Sequence, residues 1–203
     1  MGKMKTLEEL FIGQIQDLYS AEDQLIKALP KMMEKATDKK LKMAIEQHLE
    51  ETKVHRDRCV QILDDHNEKA GEEVCKAMQG LIKEADEHLR EDMTPEVRDA
   101  LIIACAQRVE HYEISGYGTA STYAQMLDMP EHAELLQMTL DEEKMADQKL
   151  NDIAMSDVNM KANEGGATKN GKASASTAKT SGNGKSSKSS GSTKSKQAVG
   201  SKK

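Results

Sequence analysis

Two carboxylates three residues apart, Glu110 and Glu113, stand on the apolar stripe of a helix, and this constrains the chain more than any other feature. Counting in steps of four and seven from Glu110 reaches Ile103, Ala106, Ile114 and Tyr117, so the carboxylates share a face with residues that belong in a core. Ionised carboxylates buried without compensation are costly, and a bound cation is one way to neutralise them. The rest of the chain must then bring matching groups to the same depth.

The remaining composition favours helices. Of 203 residues, 32% are charged and 37% hydrophobic, with one Phe, no Trp and abundant Ala, Leu, Glu and Lys, which suits an all-α fold better than a sheet. No apolar run approaches the roughly 18 residues of a membrane span, and the charged N-terminus lacks a signal-peptide block, so a cytoplasmic protein is expected. Cys59, Cys75 and Cys105 are odd in number and lack CxxC spacing, which predicts free thiols rather than disulfides or a zinc knuckle. Residues 1–157 carry a formal charge of −15, whereas residues 158–203 carry +9. These are read as two objects, a helical domain and a disordered basic tail.

Thr6-Leu7-Glu8-Glu9 has the form of a capping box, and Leu7, Leu10, Phe11, Ile15, Leu18, Leu25 and Leu29 follow at helical spacing to about Ala36. Pro30 inside this run predicts a kink or a break near Lys27 to Leu29. After a turn and cap at Thr37-Asp38, Leu41, Ile45, His48, Thr52, Cys59 and Ile62 mark a second helix to about His66. Val74, Met78, Leu81, Ile82, Ala85 and Leu89 predict a short connecting helix. Thr94-Pro95 opens a helix to about Leu127, and Asp128-Met129-Pro130 restarts the chain as a last helix fading near Met155 to Asp157. Two tight hairpins joined by a 28-residue connection, residues 67–94, predict a ferritin-like four-helix bundle with one long crossover.

In an antiparallel hairpin, residues equidistant from the turn lie side by side. Reflected through the turn near Asp128, Glu110 meets Glu143, with Asp147 one turn further on; reflected through Thr37-Asp38, Glu22 meets Glu51, with His48 three residues before it. Four helices thus each offer a core-facing Glu. Several acidic oxygens with imidazoles are what a dinuclear carboxylate site needs, and the candidate ligands are Glu22, His48, Glu51, Glu110, Glu113, Glu143 and Asp147, with Glu51 and Glu143 as the expected bridges between two iron or manganese ions. His48-x-x-Glu51 and Glu143-x-x-x-Asp147 depart from the usual Glu-x-x-His pattern and make the site more acidic. His55, among Lys53, Arg56 and Arg58, is assigned to the surface, and Tyr19 and Tyr112 to ordinary packing.

The segments Asp17-Leu18-Tyr19-Ser20-Ala21-Glu22-Asp23-Gln24-Leu25, His48-Leu49-Glu50-Glu51-Thr52, Ala77-Met78-Gln79-Gly80-Leu81-Ile82, Val109 to Thr119 and Thr139-Leu140-Asp141-Glu142-Glu143-Lys144 together resemble the YciE/YciF-type ferritin-like stress proteins over about residues 4–157. The resemblance implies a ferritin-like bundle, a homodimer, a dinuclear metal site on the seven positions above, and an association with general and osmotic stress.

From Asn163 the chain is Gly, Ser, Ala, Thr and Lys, with Val199 the one large aliphatic residue, a composition that cannot offset its ordering entropy. Its lysines suit weak, salt-sensitive contact with nucleic acid, although without aromatics they have no base-stacking platform. A solvated tether, or contact with the acidic domain, fits equally well. Two functions are therefore expected as alternatives: a metal-dependent stress protein handling oxygen, peroxide or metal, or a non-catalytic helical protein tethered to nucleic acid by its tail.

Overall fold

A computed structural model describes residues 5–71 and 73–170, and the basic tail beyond Asn170 lies outside the described residues. The described chain is helical throughout: α1 (Leu7–Lys35), α2 (Lys39–Asp65), α3 (Lys76–His88), α4 (Pro95–Met126), α5 (Pro130–Ile153), and α6 (Asn159–Asn170), which follows α5 through one π-helical turn, Ala154–Val158. The hairpins α1–α2 and α4–α5 make the most extensive helix contacts, and α1 against α4 and α2 against α5 close the bundle, with α3 in the crossover. This is the ferritin-like arrangement expected from the two short turns and the long connection.

The helix starts follow from local chemistry. The Thr6 side chain accepts from Glu9 N while the Glu9 carboxylate accepts from Thr6 N, completing the capping box; Asp38 accepts from Lys40 N and Leu41 N, and Thr94 from Val97 N, with Pro95 at the first helical position. The α1–α2 turn is also clamped from α4. The buried Asp99 carboxylate accepts from Thr37 N at 2.7 Å, Thr37 Oγ1 at 2.6 Å and Asp38 N at 2.8 Å. Asp99→Ala strands these donors and is expected to cost about 2–3 kcal/mol in urea unfolding.

Three local expectations are corrected. Pro30 does not break α1, which is one continuous helix. The last helix does not fade near Met155 to Asp157, because the π-turn carries it on to Asn170 and turns Val158 (1% exposed) into the core; Lys161 then binds Asp157 and reaches Asp38 Oδ2 at 3.5 Å. The helical body therefore runs past residue 157. Val74, counted into the connecting helix, precedes α3 and is 59% exposed.

The core is split into two apolar layers. One gathers Leu25, Leu29, Leu41, Ile45, Ile102 and Leu150; the other gathers Phe11, Ile15, Leu18, Ile62, Tyr117 and Leu136. Glu22 sits between Leu18 and Leu25 on α1, so a polar layer separates the two. All three cysteines are free and buried, as their spacing predicted.

Candidate metal centre

The polar layer is built from four helices. Glu22 on α1, His55 on α2, Glu113 on α4 and Glu143 on α5 are each 0% exposed; Glu110 on α4 is 2% exposed and His48 on α2 is 7% exposed. The ligand-type atoms of His48, Glu110, Glu113 and Glu143 lie within 4.8 Å of one another, and so do those of Glu22, His55 and Glu143. Glu143 belongs to both groups. His55 Nδ1 approaches Glu143 Oε1 to 2.7 Å, and His48 Nε2 lies 3.4 Å from Glu110 Oε1 and 4.0 Å from Glu143 Oε2.

Nine buried nitrogen and oxygen atoms of these six side chains have no hydrogen-bond partner among the described residues: Glu22 Oε2, both His48 nitrogens, His55 Nδ1, Glu110 Oε2, and both oxygens of Glu113 and of Glu143. His55 Nδ1 and Glu143 Oε1 are close without hydrogen-bond alignment, so proximity leaves both unsatisfied. Buried polar atoms are almost always paired. Orphaned acceptors converging at one depth are instead the arrangement a cation completes, and oxygen donors with imidazole suit iron or manganese. This group can hold a metal ion.

Neighbouring side chains orient the ligands. Tyr117 donates to Glu22 Oε1, leaving Oε2 free. Glu142, held by Arg58, sits 2.9 Å from His55 Nε2 and so leaves Nδ1 facing Glu143. A carboxylate on the outer nitrogen of a histidine is the usual support for a metal-binding imidazole.

Burial and mutual repulsion shape the charges. Burial, with the Glu143 charge, pushes Glu22 up to about 7. Burial acts first on Glu110 and Glu113 too, raising both well above the ordinary carboxylate range, and in Glu113 the neighbouring Glu22, Glu143 and Glu110 add to it. Burial opposes protonation of His48, but Glu110, Glu51 and Glu143 outweigh it and raise the imidazole to about 10. In Glu143 the upward effect of burial is overcome by His55 and His48, leaving it below its ordinary value. Without metal the cluster is a proton store.

Among the described residues Glu113 makes no ion pair, and the charges that act on it most are the carboxylates of Glu22, Glu143 and Glu110. Glu113→Leu is therefore expected to stabilise the metal-free protein by about 1–3 kcal/mol at neutral pH while weakening metal binding. Melting curves with and without chelator will reveal the two opposite signs.

Of the seven residues selected from the sequence, Glu22, His48, Glu110, Glu113 and Glu143 come together. Glu51 and Asp147 do not join either group. Glu51 is partly exposed, its Oε1 accepting from Gln47 at 2.7 Å and its Oε2 3.8 Å from His48 Nδ1; Asp147 accepts from Gln107 at 3.0 Å and lies 3.6 Å from His111. Turn reflection gives the level of a residue along the axis, not the rotation of its helix. His55 is the residue assigned wrongly: it is fully buried in the centre, not on the surface. The signal was present, since 48, 52, 55, 59 and 62 form one helical stripe, but the flanking Lys53, Arg56 and Arg58 obscured it. Tyr117, rather than Tyr19 or Tyr112, is the tyrosine touching a candidate ligand; Tyr112 instead donates to Asp17.

Fold and site together define a ferritin-like bundle with a buried carboxylate–histidine centre. The chain belongs to the family described as Domain of unknown function (DUF892), which matches residues 6–163. It is 47% identical to Protein YciF of Escherichia coli K12 over 160 residues, 78% of this chain and 96% of that protein. Among solved structures, that of the E. coli stress protein YciF matches with a TM-score of 0.73 at 46% identity, covering 77% of this chain and 99% of that one. YcfI of Rhodopseudomonas palustris matches with a TM-score of 0.71 at 43% identity, over 73% and 95% of the two chains. A Xanthomonas campestris pv. campestris protein, 19% identical with a TM-score of 0.61 over 79% of this chain and 98% of that one, supports the fold alone. Among the described residues, no helix is long and apolar enough to cross a membrane.

Proposed function

We propose that this chain is a stress-response protein of the cytoplasm, acting as a homodimer, whose buried cluster holds a carboxylate-bridged pair of iron or manganese ions used against peroxide or related oxidants. The observation that carries this reading is Glu143, whose carboxylate is shared by both ligand groups while neither of its oxygens has a hydrogen-bond partner. His48, Glu110 and Glu113 would hold one ion and Glu22 and His55 the other, with Glu143 between them. An oxygen-rich donor set without thiolate suits hard, redox-active cations. The metals would supply electron transfer to the oxidant.

The chain's own residues provide the setting. Tyr117 fixes the Glu22 carboxylate, Glu142 and Arg58 fix His55, and the apolar layers on either side keep bulk water away. In the metal-free chain Glu22 is raised to about 7, so taking up metal near neutral pH would expel a proton from it. The stress assignment rests on the likeness to the solved structure of the E. coli stress protein YciF.

Elemental analysis of the full chain, purified from cells supplied with iron and manganese, is expected to give about two metal ions per chain. Loaded protein should consume added hydrogen peroxide faster than chelator-treated protein. A metal-free product that also refuses metal on reconstitution sinks the reading, and metal binding without peroxide consumption narrows it to metal storage. Light scattering tests the homodimer.

A further inference from the structure

Eleven buried side-chain nitrogen and oxygen atoms among the described residues lack a partner; nine belong to the centre above, and the other two are His66 Nε2 and His132 Nδ1. These two histidines meet at the far end of the bundle, His66 capping the C-terminus of α2 and His132 in the first turn of α5. His66 lies eleven residues beyond His55, about 16 Å along the α2 axis, so this is a different place from the central cluster.

The rings are arranged as a ligand pair. Their centroids are 5.3 Å apart with planes tilted by 47°. A tetrahedral cation bound at about 2.0–2.1 Å by two imidazole nitrogens holds the ring centroids roughly 5.2 Å apart. Each ring also has a carboxylate on its other nitrogen. His132 Nε2 is hydrogen-bonded to Asp65 Oδ2 at 3.0 Å, and His66 Nδ1 lies 3.8 Å from Glu8 Oε1. In His132 a proton held on the Asp65 side leaves Nδ1 with a free lone pair, the tautomer a metal-binding histidine uses, while Glu8, beyond hydrogen-bond range, places negative charge beside His66. Phe11 packs edge-on to His66 at 5.8 Å and parallel to His132 at 6.4 Å, limiting ring rotation. An open groove lined by Glu8, Glu9 and Glu68 borders His66 and gives cations an acidic approach to this end of the bundle.

We propose that His66 and His132 form a second metal site, separate from the dinuclear centre, for a single divalent cation of the zinc, copper and nickel class. A pair of imidazole nitrogens, with no group of three or more ligand side chains around them among the described residues, selects these borderline cations over calcium or magnesium.

The probe is Zn²⁺, titrated calorimetrically into the metal-stripped full chain, with histidine ring resonances followed by NMR. His66→Gln and His132→Gln are each expected to lower the zinc stoichiometry by one equivalent relative to the parent chain, whatever the central cluster binds. The His66 and His132 ring signals, each identified by its absence from its own glutamine variant, should move on zinc addition alongside any shifts of His48 and His55 at the centre. Asp65→Asn keeps both imidazoles and the fold but removes the charge behind His132; it is expected to weaken this site about 10- to 100-fold. Unchanged stoichiometry in both glutamine variants, with circular dichroism confirming folded chains, overturns the site. So does zinc addition that leaves both ring signals in place, since the pair then serves only to pack on Phe11.

Discussion

Glu143→Ala is expected to empty both positions of the central cluster at once, dropping the iron and manganese content from about two ions per chain to near zero. The single substitution has this reach because Glu143 alone belongs to both ligand groups. Removing it also leaves His48, raised to about 10 by its acidic neighbours, and His55, whose imidazole is raised against the effect of burial by the adjacent Glu143 and Glu22 carboxylates, with less negative charge around them. The same substitution at Glu22 is expected to empty one position only, because Glu22 contributes to one group. Glu51→Ala provides the contrast: Glu51 binds Gln47 at the edge of the site, so a smaller loss of affinity is expected and the stoichiometry should survive. Elemental analysis of the variants, with circular dichroism to confirm folding, checks the ranking. A Glu143→Ala chain that retains two ions would remove Glu143 as the bridge.

The second large effect is on pH. Glu22 has a folded value of about 7 against an ordinary 4.5, and His48 about 10 against 6.5, so in the metal-free protein both bind protons more tightly when folded. Their contribution to stability is complete below 4.5 for Glu22 and below 6.5 for His48, and it disappears as pH rises through 7 and 10 respectively. Glu110 and Glu113, also raised, act in the same sense as Glu22. Glu143 is lowered, and its contribution is lost only as pH falls below the ordinary carboxylate range. Chelator-treated protein should therefore lose several kcal/mol of stability between mildly acid and alkaline pH, the order of size that shifts of this extent imply. Metal binding must expel the stored protons, so affinity should rise with pH, and titration in buffers of different ionisation enthalpy should register proton release. Metal-free stability that is flat from pH 5 to pH 9 would mean the cluster is not the proton store described above.

How much of this was legible beforehand differs between elements. The helices could be read because their starts are encoded locally, in the Thr6 and Thr94 caps, the Asp38 cap and Pro95 and Pro130 in first turns. The π-turn after Ile153 could not, because nothing in Ala154 to Val158 marks an extra residue in the turn; Val158 earns its burial from packing with α4. Asp99 was equally silent, since its partners Thr37 and Asp38 are about sixty residues away in the chain. At the site, the depth of Glu22, Glu110 and Glu143 followed from counting residues to each turn. The inclusion of His55 and the separation of Glu51 and Asp147 depended on how each helix is rotated about its axis.

The amino-acid order alone determined that this chain forms long amphipathic helices in two hairpins, with acidic residues brought to one level of the core, because helical period and turn position are local properties. Only the tertiary structure decided which of those groups share a centre, that His55 completes it, and that His66 and His132 meet at the far end. Those outcomes depend on helix rotation and side-chain packing between segments distant in sequence, where no local rule links one ligand to the next.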